Sequence, residues 1–231
     1  MKRYRHLFFD LDHTLWDFRA NSRETLRELY AELGLAQHGV EDVDELISVY
    51  EDVNRGLWKR YEAGHLNKEV LRVLRFRNTL LQFGIRNEPL ATRMGEAYLE
   101  QCPLKPNLFQ GAQALLQDLS AQYRLHIITN GFHEVQQVKL HSSGIHHHFD
   151  VVLSSEKAGA GKPDPRIFAK ALAMSGAQVK ESLMIGDDHE TDMRGARNAG
   201  WDQVHFAAEN TPDTSATYRV AHMDELRPIL L

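Results

Sequence analysis

The chain has 231 residues, 42% of them hydrophobic and 26% charged, and a formal net charge of -5. This composition is typical of a globular protein with one core, or one core and a smaller domain, and it disfavours nucleic acid polymers and anionic membranes as partners. One cysteine, Cys102, excludes an internal disulfide and favours a reducing, cytoplasmic location. The first apolar run stops at Asp10, so we expect no secretory leader and no membrane span.

The first predicted element is a buried strand that ends in two acids. Residues 7–9 have the composition of a strand covered on both faces, and Asp10 and Asp12 follow it. Alternate residues of an extended chain share a face, so both carboxylates can face one site. Buried acids are costly unless a metal, a lysine or backbone N–H groups compensate their charge. The alternative is that these acids simply end the strand in a turn.

Residues 17–102 are predicted to be entirely helical. Apolar residues recur at helical spacing in four stretches, at about residues 26–33, 46–61, 70–83 and 90–98. Asn21, followed three residues later by Glu24, is typical of a helix N-cap with its capping box.

From Pro103 onwards, helices alternate with short apolar strands, which is the signature of a parallel sheet. The predicted strands are residues 125–128, 151–153, 183–185 and 204–206. The sequence therefore predicts an α/β fold with a Rossmann-like core. We expect residues 1–16 and 103–231 to form this core and residues 17–102 to form an inserted helical cap domain.

Three further segments carry residues that suit phosphate or metal binding at the carboxyl edge of such a sheet. Thr129 and Asn130 follow a strand beside a glycine, Lys162 lies in a loop with two prolines, and Asp187 follows the strand at 183–185. Asp187 and Asp10 would offer Mg²⁺ the oxygen ligands that it prefers. Taken singly, a plain Thr-Asn-Gly turn and a solvent lysine are simpler interpretations. Asp192 suits a helix cap, a partner that orients a metal ligand, or both.

In order and spacing, these segments resemble the four motifs of the haloacid dehalogenase (HAD) superfamily. The residues concerned are Asp10-Leu11-Asp12-His13-Thr14, Thr129, Lys162-Pro163, and Gly186-Asp187 with Asp192. The helical insertion resembles the C1 cap of that superfamily, and the resemblance covers nearly the whole chain. Residues 12–18, 129–132 and 162–165 further resemble the pyrimidine 5′-nucleotidases of the YjjG type.

The resemblance implies phosphoryl transfer through an aspartyl phosphate. Asp10 would attack phosphorus, and Asp12 would protonate the leaving oxygen and then deprotonate water. Mg²⁺ would bind Asp10, Asp187 and the backbone carbonyl of Asp12. Asp12 also argues against the dehalogenases of the superfamily, which need no acid for the leaving group.

The remaining motif positions would hold the phosphate and support the metal. Thr129, Asn130 and Lys162 would hold the phosphate oxygens. Asp192 would lie next to the metal ligands, and so would Asp188, which either adjusts metal binding or faces solvent. We expect Trp16 and Phe18 either to stack on a nucleobase or to pack at the hinge of the cap.

The expected substrate is a small phosphorylated metabolite, with a pyrimidine nucleoside 5′-monophosphate as first choice. The alternatives are phosphoglycolate, a sugar phosphate, or a phosphomutase reaction. Trp58, Tyr61 and His65 of the cap are candidates for substrate selection, while nothing around Lys59 or Lys68 suggests the Schiff-base lysine of a phosphonate hydrolase. A non-catalytic scaffold is disfavoured because all the motif residues are present. We expect a monomer or a homodimer.

The run His146-His147-His148 suggests a metal site at first sight. Consecutive side chains do not point the same way, and the run lies between a helix and a strand, so we expect a solvated turn instead.

Overall fold

The computed structural model describes residues 3–207 and 215–231. The chain forms two compact units: one comprises Met1–Phe18 and Pro106–Leu231, and the other comprises Arg19–Lys105. No helix in the described part of the chain has the length and apolar character needed to cross a membrane.

The second unit is built from helices. They are α1 (Phe18–Glu32, whose first residue belongs to the other unit), α2 (Val43–Glu62), α3 (Lys68–Gln82) and α4 (Glu88–Gln101). The side chains of Asp42, Asn67 and Asn87 cap α2, α3 and α4 by accepting hydrogen bonds from backbone N–H groups of the first turns.

The predicted N-cap of α1 is wrong. The helix already begins at Phe18, and Asn21 and Ser22 are buried within it. The hydroxyl of Ser22 accepts a hydrogen bond of 2.8 Å from the Tyr98 hydroxyl. Asn21 thus lies within the first turns of the helix and not before them, and the Ser22 side chain makes a contact with a distant residue instead of a cap.

The first unit contains a six-stranded sheet in the order β3-β2-β1-β4-β5-β6, in which every adjacent pair is parallel. The strands are β1 (His6–Phe9), β2 (Arg124–Thr129), β3 (Phe149–Ser154), β4 (Ser182–Gly186), β5 (Asp202–Phe206) and β6 (Tyr218–Val220). The prediction of an α/β fold with a parallel sheet is confirmed. Strand β6 has no counterpart among the predicted strands, because three residues are too few for a period of two to show.

The sheet order places β1 at the point where the strand order reverses. Phe9 pairs with Ile127 of β2 on one side and with Ile185 of β4 on the other. The carboxyl ends of these three strands therefore meet at one edge of the sheet, and open α/β sheets bind ligands at such an edge.

The connecting segments of this unit are mostly helical. They are α5 (Ala112–Ser120), α6 (His133–Ser142), α7 (Ser155–Ala158), α8 (Pro165–Ser175), α9 (Arg194–Asn198) and α10 (Arg227–Leu230), and a π-helical turn at His189–Met193 precedes α9. Apolar side chains of α8 pack on the sheet, where Trp201 contacts both Phe8 and Phe168.

The three consecutive histidines form a 3-10 turn at His146–His148. The prediction of a turn holds, but the turn is only partly solvated, because His147 is exposed while His148 is 8% exposed. The turn leads directly into β3, so His148 lies next to the first residue of the sheet strand.

Candidate active site

The nucleophile candidate, Asp10, lies immediately after β1 and is 8% exposed. Its N–H group donates to the carbonyl of Ile185, which extends the pairing of β1 with β4. Its Oδ1 accepts a hydrogen bond of 2.6 Å from Nζ of Lys162, which is 4% exposed. The structure thus joins two predicted site residues that are 152 positions apart in the chain.

Lys162 is held in place through both its side chain and its backbone. Nζ also donates to the Ile128 carbonyl at 2.9 Å and lies 2.6 Å from Oδ1 of Asp192. The Asn130 amide donates to the Lys162 carbonyl and accepts from the Lys162 N–H group. The Asn130 side chain, predicted to bind phosphate, is therefore engaged in holding the lysine.

Asp192 approaches the end of β4 very closely. Its carboxylate is 1% exposed, and a Cβ atom added at Gly186 would overlap the Asp192 side chain. Oδ2 of Asp192 accepts a hydrogen bond from the N–H group of Asp188. The glycine of the Gly186-Asp187 motif is therefore required by this contact.

A third acid of the site, Asp187, follows β4 directly. Its Oδ1 accepts a hydrogen bond of 3.0 Å from the hydroxyl of Thr14. Nε2 of His205 donates to the Asp187 carbonyl at 2.8 Å, since a carbonyl can only accept. These two contacts orient the backbone and the side chain of Asp187.

Negative charge is in excess in this cluster. Burial raises the pKa of Asp10 to about 7 although Lys162 opposes the shift, and burial together with Asp10 raises the pKa of Asp187 to about 8. Burial also raises the pKa of Asp192 to about 6. Burial alone would lower the pKa of Lys162, but its ion pairs with Asp10 and Asp192 raise it. One lysine does not compensate three buried carboxylates.

A metal ion fits this excess charge. One oxygen atom from each of Asp10, Asp187 and Asp192 lies within 4.8 Å of the others. Within residues 3–207 and 215–231, this is the one group of His, Cys, Asp or Glu side chains suited to hold a metal. Carboxylate oxygens are ligands for hard divalent cations. Asp192, which was predicted to lie next to the metal ligands, is a member of this group. The backbone carbonyl of Asp12 as a ligand stays a prediction.

The Asp12 carboxylate contacts a second pair of buried polar residues, both on α6. Its Oδ1 accepts a hydrogen bond of 2.6 Å from Nζ of Lys139, and its Oδ2 accepts one of 2.9 Å from Nε2 of Gln136. Lys139 is 5% exposed and Gln136 is fully buried. Neither residue is among those predicted from the sequence to lie in the site. Their spacing of three on a helix that follows the Thr-Asn-Gly turn was the available signal.

Thr129 is connected to the same amide. Its Oγ1 accepts hydrogen bonds from Nε2 of Gln136 at 2.8 Å and from the N–H group of Gly131 at 3.1 Å. Because both contacts use the oxygen as acceptor, the Thr129 hydroxyl proton remains available to a ligand. A Cβ atom at Gly131 would overlap the Gln136 amide, which explains the glycine of the Thr-Asn-Gly turn.

The aromatic pair after the acids was predicted either to stack on a nucleobase or to pack at the hinge of the cap. Trp16 is fully buried, and Nζ of Lys139 lies 4.4 Å from the centroid of its ring. This burial favours the packing alternative for Trp16. Phe18 is half-buried, and its ring centroid lies 5.5 Å from the same Nζ. A substrate contact of Phe18 stays a prediction.

Asp188 does not point to the metal group. Its Oδ1 accepts hydrogen bonds from the N–H groups of Glu190 and Thr191, which cap the π-helical turn. Asp188 is exposed. Of the two roles considered for this acid, the structure favours a solvent-facing cap.

The helical unit contains the other candidates for substrate selection. Trp58 and Tyr61 lie near the end of α2 with their ring centroids 5.4 Å apart, and both are half-buried. His65 follows the helix and is exposed. Their role in substrate selection stays a prediction.

Fold and site together define the class: a Rossmann-like α/β protein with buried carboxylates and a lysine at the carboxyl edge of its sheet. A family model described as haloacid dehalogenase-like hydrolase matches residues 4–200. The chain belongs to this family of hydrolases.

Two proteins named pyrimidine 5′-nucleotidases and one solved structure match over nearly the full length. Pyrimidine 5′-nucleotidase PynA of Streptococcus pneumoniae is 32% identical over 228 residues, which cover 96% of this chain and 93% of that protein. Pyrimidine 5′-nucleotidase YjjG of Escherichia coli is 31% identical over 229 residues, covering 97% and 96%. The structure of the HAD-hydrolase YfnB from Bacillus subtilis, bound to magnesium, superposes with a TM-score of 0.88 at 28% identity and covers 99% of both chains.

Proposed function

We propose that this hydrolase is a Mg²⁺-dependent phosphomonoesterase that acts through an aspartyl phosphate on pyrimidine nucleoside 5′-monophosphates. The observation that supports this most is the pairing of Asp10 with Lys162, beside a second acid, Asp12, that is held by its own cation. Two acids in separate environments suit the two roles of nucleophile and acid–base catalyst.

In the first step, a carboxylate oxygen of Asp10 bonds to phosphorus while the bond from phosphorus to the ester oxygen breaks. Lys162 fixes Oδ1 of Asp10 at 2.6 Å, so the carboxylate approaches the phosphate in one orientation. The ester oxygen takes a proton from Asp12 as it leaves.

In the second step, the oxygen of a water molecule bonds to phosphorus and the bond from phosphorus to Asp10 breaks. Asp12 takes the proton of this water, which restores its starting state. Both steps require the Asp12 carboxyl group to stay close to the same oxygen position, on the side of the phosphorus opposite Asp10.

The phosphate itself needs donors and positive charge. The hydroxyl of Thr129 and the ammonium of Lys162 are donors for its oxygens, and Asn130 acts by holding the Lys162 backbone. Asp10 and Asp187, with the backbone carbonyl of Asp12, would hold Mg²⁺, and Asp192 lies beside them. When bound, the metal neutralises charge between the carboxylate nucleophile and the phosphate dianion.

The choice of nucleotide rests on the relatives. PynA and YjjG are named pyrimidine 5′-nucleotidases and match over nearly the full chain. In this proposal the helical segment, residues 17–102, acts as a cap that selects the substrate, and the enzyme acts in the cytoplasm on a small phosphorylated metabolite.

The test is phosphate release from a panel of phosphomonoesters, measured with Mg²⁺ and again with EDTA. The panel contains pyrimidine and purine nucleoside 5′-monophosphates, phosphoglycolate and hexose phosphates. We expect preferential release from the pyrimidine nucleotides, its loss with EDTA and in Asp10→Asn, and unchanged release in the control Asp118→Asn, an exposed acid of α5. Preferential release from a hexose phosphate would overturn the substrate, and release that survives Asp10→Asn would overturn the mechanism.

A further inference from the structure

The Asp12 carboxylate contacts two residues, Lys139 and Gln136, that take no part in the reaction steps proposed above. Lys139 and Gln136 donate to its two oxygens at 2.6 and 2.9 Å. Both donors extend from α6, three residues apart on one helix. The carboxylate is therefore held from two directions by one rigid element.

Lys139 is an unusual lysine. It is 5% exposed, although lysines are seldom buried without strong compensation. Its ammonium contacts a single carboxylate and faces the rings of Trp16 and Phe18 at 4.4 and 5.5 Å. Aromatic faces attract cations, so the two rings compensate part of the lost hydration. Leu or Met would suffice if this position only required apolar packing, so the charge of Lys139 points to its contact with Asp12.

Gln136 links the acid to the phosphate-binding turn. Its Nε2 donates both to Oδ2 of Asp12 and to Oγ1 of Thr129. Because a carboxylate only accepts, the atom facing Asp12 is the nitrogen. One amide thereby fixes the distance between the acid and a hydroxyl assigned to the phosphate.

We propose that Lys139 and Gln136 are positioning residues that hold Asp12 in line with the leaving oxygen. Trp16 and Phe18 contribute by holding the ammonium group of Lys139 in place. This inference rests on the proposed phosphomonoesterase function. In this inference, Trp16 and Phe18 support the acid–base catalyst Asp12 through Lys139 and are not needed to recognise a nucleobase.

The kinetic test compares two leaving groups. Uridine 5′-monophosphate releases an alkoxide that needs a proton, whereas p-nitrophenyl phosphate releases a stable phenolate. We expect Lys139→Met to lower kcat/KM at least about tenfold for the nucleotide and much less for the nitrophenyl ester. We expect Lys139→Arg to recover most of the loss. The matched control is Lys180→Met, an exposed lysine outside the site.

A double-mutant cycle shows whether Lys139 acts through Asp12. In the Asp12→Asn background, Lys139→Met should cost little further, because the group that it positions is already gone. Equal losses for both leaving groups, or additive losses in the cycle, would contradict the inference and assign Lys139 a purely structural role.

A crystal structure of Lys139→Met provides a readout that does not depend on turnover. We expect the Asp12 carboxylate to leave its present position while Asp10 and Lys162 keep their 2.6 Å contact. An unmoved Asp12 would overturn the inference even if the proposed phosphatase activity is absent. Failure of the Asp10→Asn test, in contrast, would overturn the proposed function and leave this structural result as it stands.

Discussion

Two histidines on the central strands make the core sensitive to acid. Nδ1 of His6 on β1 and Nε2 of His126 on β2 are 3.0 Å apart, and their rings stack. His126 is fully buried, and its Nδ1 has no hydrogen-bond partner among the described residues. A neutral pair satisfies this contact if Nε2–H of His126 donates to His6. A proton added to His126 would meet no acceptor.

The cost follows from the pKa values. Burial lowers the pKa of His126 from 6.5 to about 4, and His6 and Arg124 act in the same direction while Asp150 opposes them. Above the unfolded pKa both states are neutral and the histidine costs nothing. As the pH falls below it, the unfolded chain binds a proton that the folded chain does not. At about pH 5 this linkage removes about 2 kcal/mol of stability.

Urea unfolding followed by tryptophan fluorescence at about pH 7.5 and about pH 5 measures this cost. We expect His126→Gln to lose about 2 kcal/mol less than the original protein between the two pH values. Comparing pH dependence removes the constant effect of the substitution and the contribution of the acidic cluster. The control is His222→Gln, an exposed histidine of the same unit. The reasoning fails if His126→Gln shows the same pH dependence as the original protein.

Three further substitutions test the site. Gly186→Ala forces an overlap with a buried carboxylate and should cost about 1–3 kcal/mol in thermal unfolding, whereas Gly56→Ala, with open space around it in α2, should not destabilise. Asp188→Ala removes the cap of the π-helical turn and should lower the free energy of unfolding by about 1 kcal/mol. Calorimetry should show an unchanged affinity for Mg²⁺; a loss of affinity would make this acid part of the metal site. Lys162→Met should lower phosphate release by about 10² or more, because the neighbouring carboxyl pKa rises and a phosphate donor is lost; release at the original rate would refute its role.

The apolar runs in the sequence predicted five of the six strands, because a buried strand shows in the composition of a few consecutive residues. The apolar runs at residues 7–9, 125–128 and 183–185 end in polar residues, and parallel strands bring such ends to one edge. Motif order predicted that Asp10 and Lys162 belong to one site, whereas their direct contact is a finding of the structure. Strand β6 is short and carries no such signal.

Contacts made by buried polar side chains on helices were not predictable in the same way. Gln136 and Lys139 are typical of a solvent-facing helix surface, and only the tertiary position of Asp12 gives them partners. Ser22, next to the predicted cap of α1, is a similar case, since its hydroxyl accepts from Tyr98, 76 positions away. Sequence patterns indicate which residues are polar, but the partner of a buried polar group depends on the assembled fold.

The central claim is that Asp10 becomes phosphorylated during turnover. Its most direct test is acid quenching of the enzyme with uridine 5′-monophosphate and Mg²⁺, followed by digestion and mass spectrometry. We expect a phosphorylated peptide that contains Asp10 and that loses its phosphate in hydroxylamine. In Asp12→Asn supplied with p-nitrophenyl phosphate this peptide should accumulate, because the second step then lacks its base. Rapid phosphate release with no phosphopeptide in either protein would contradict the account.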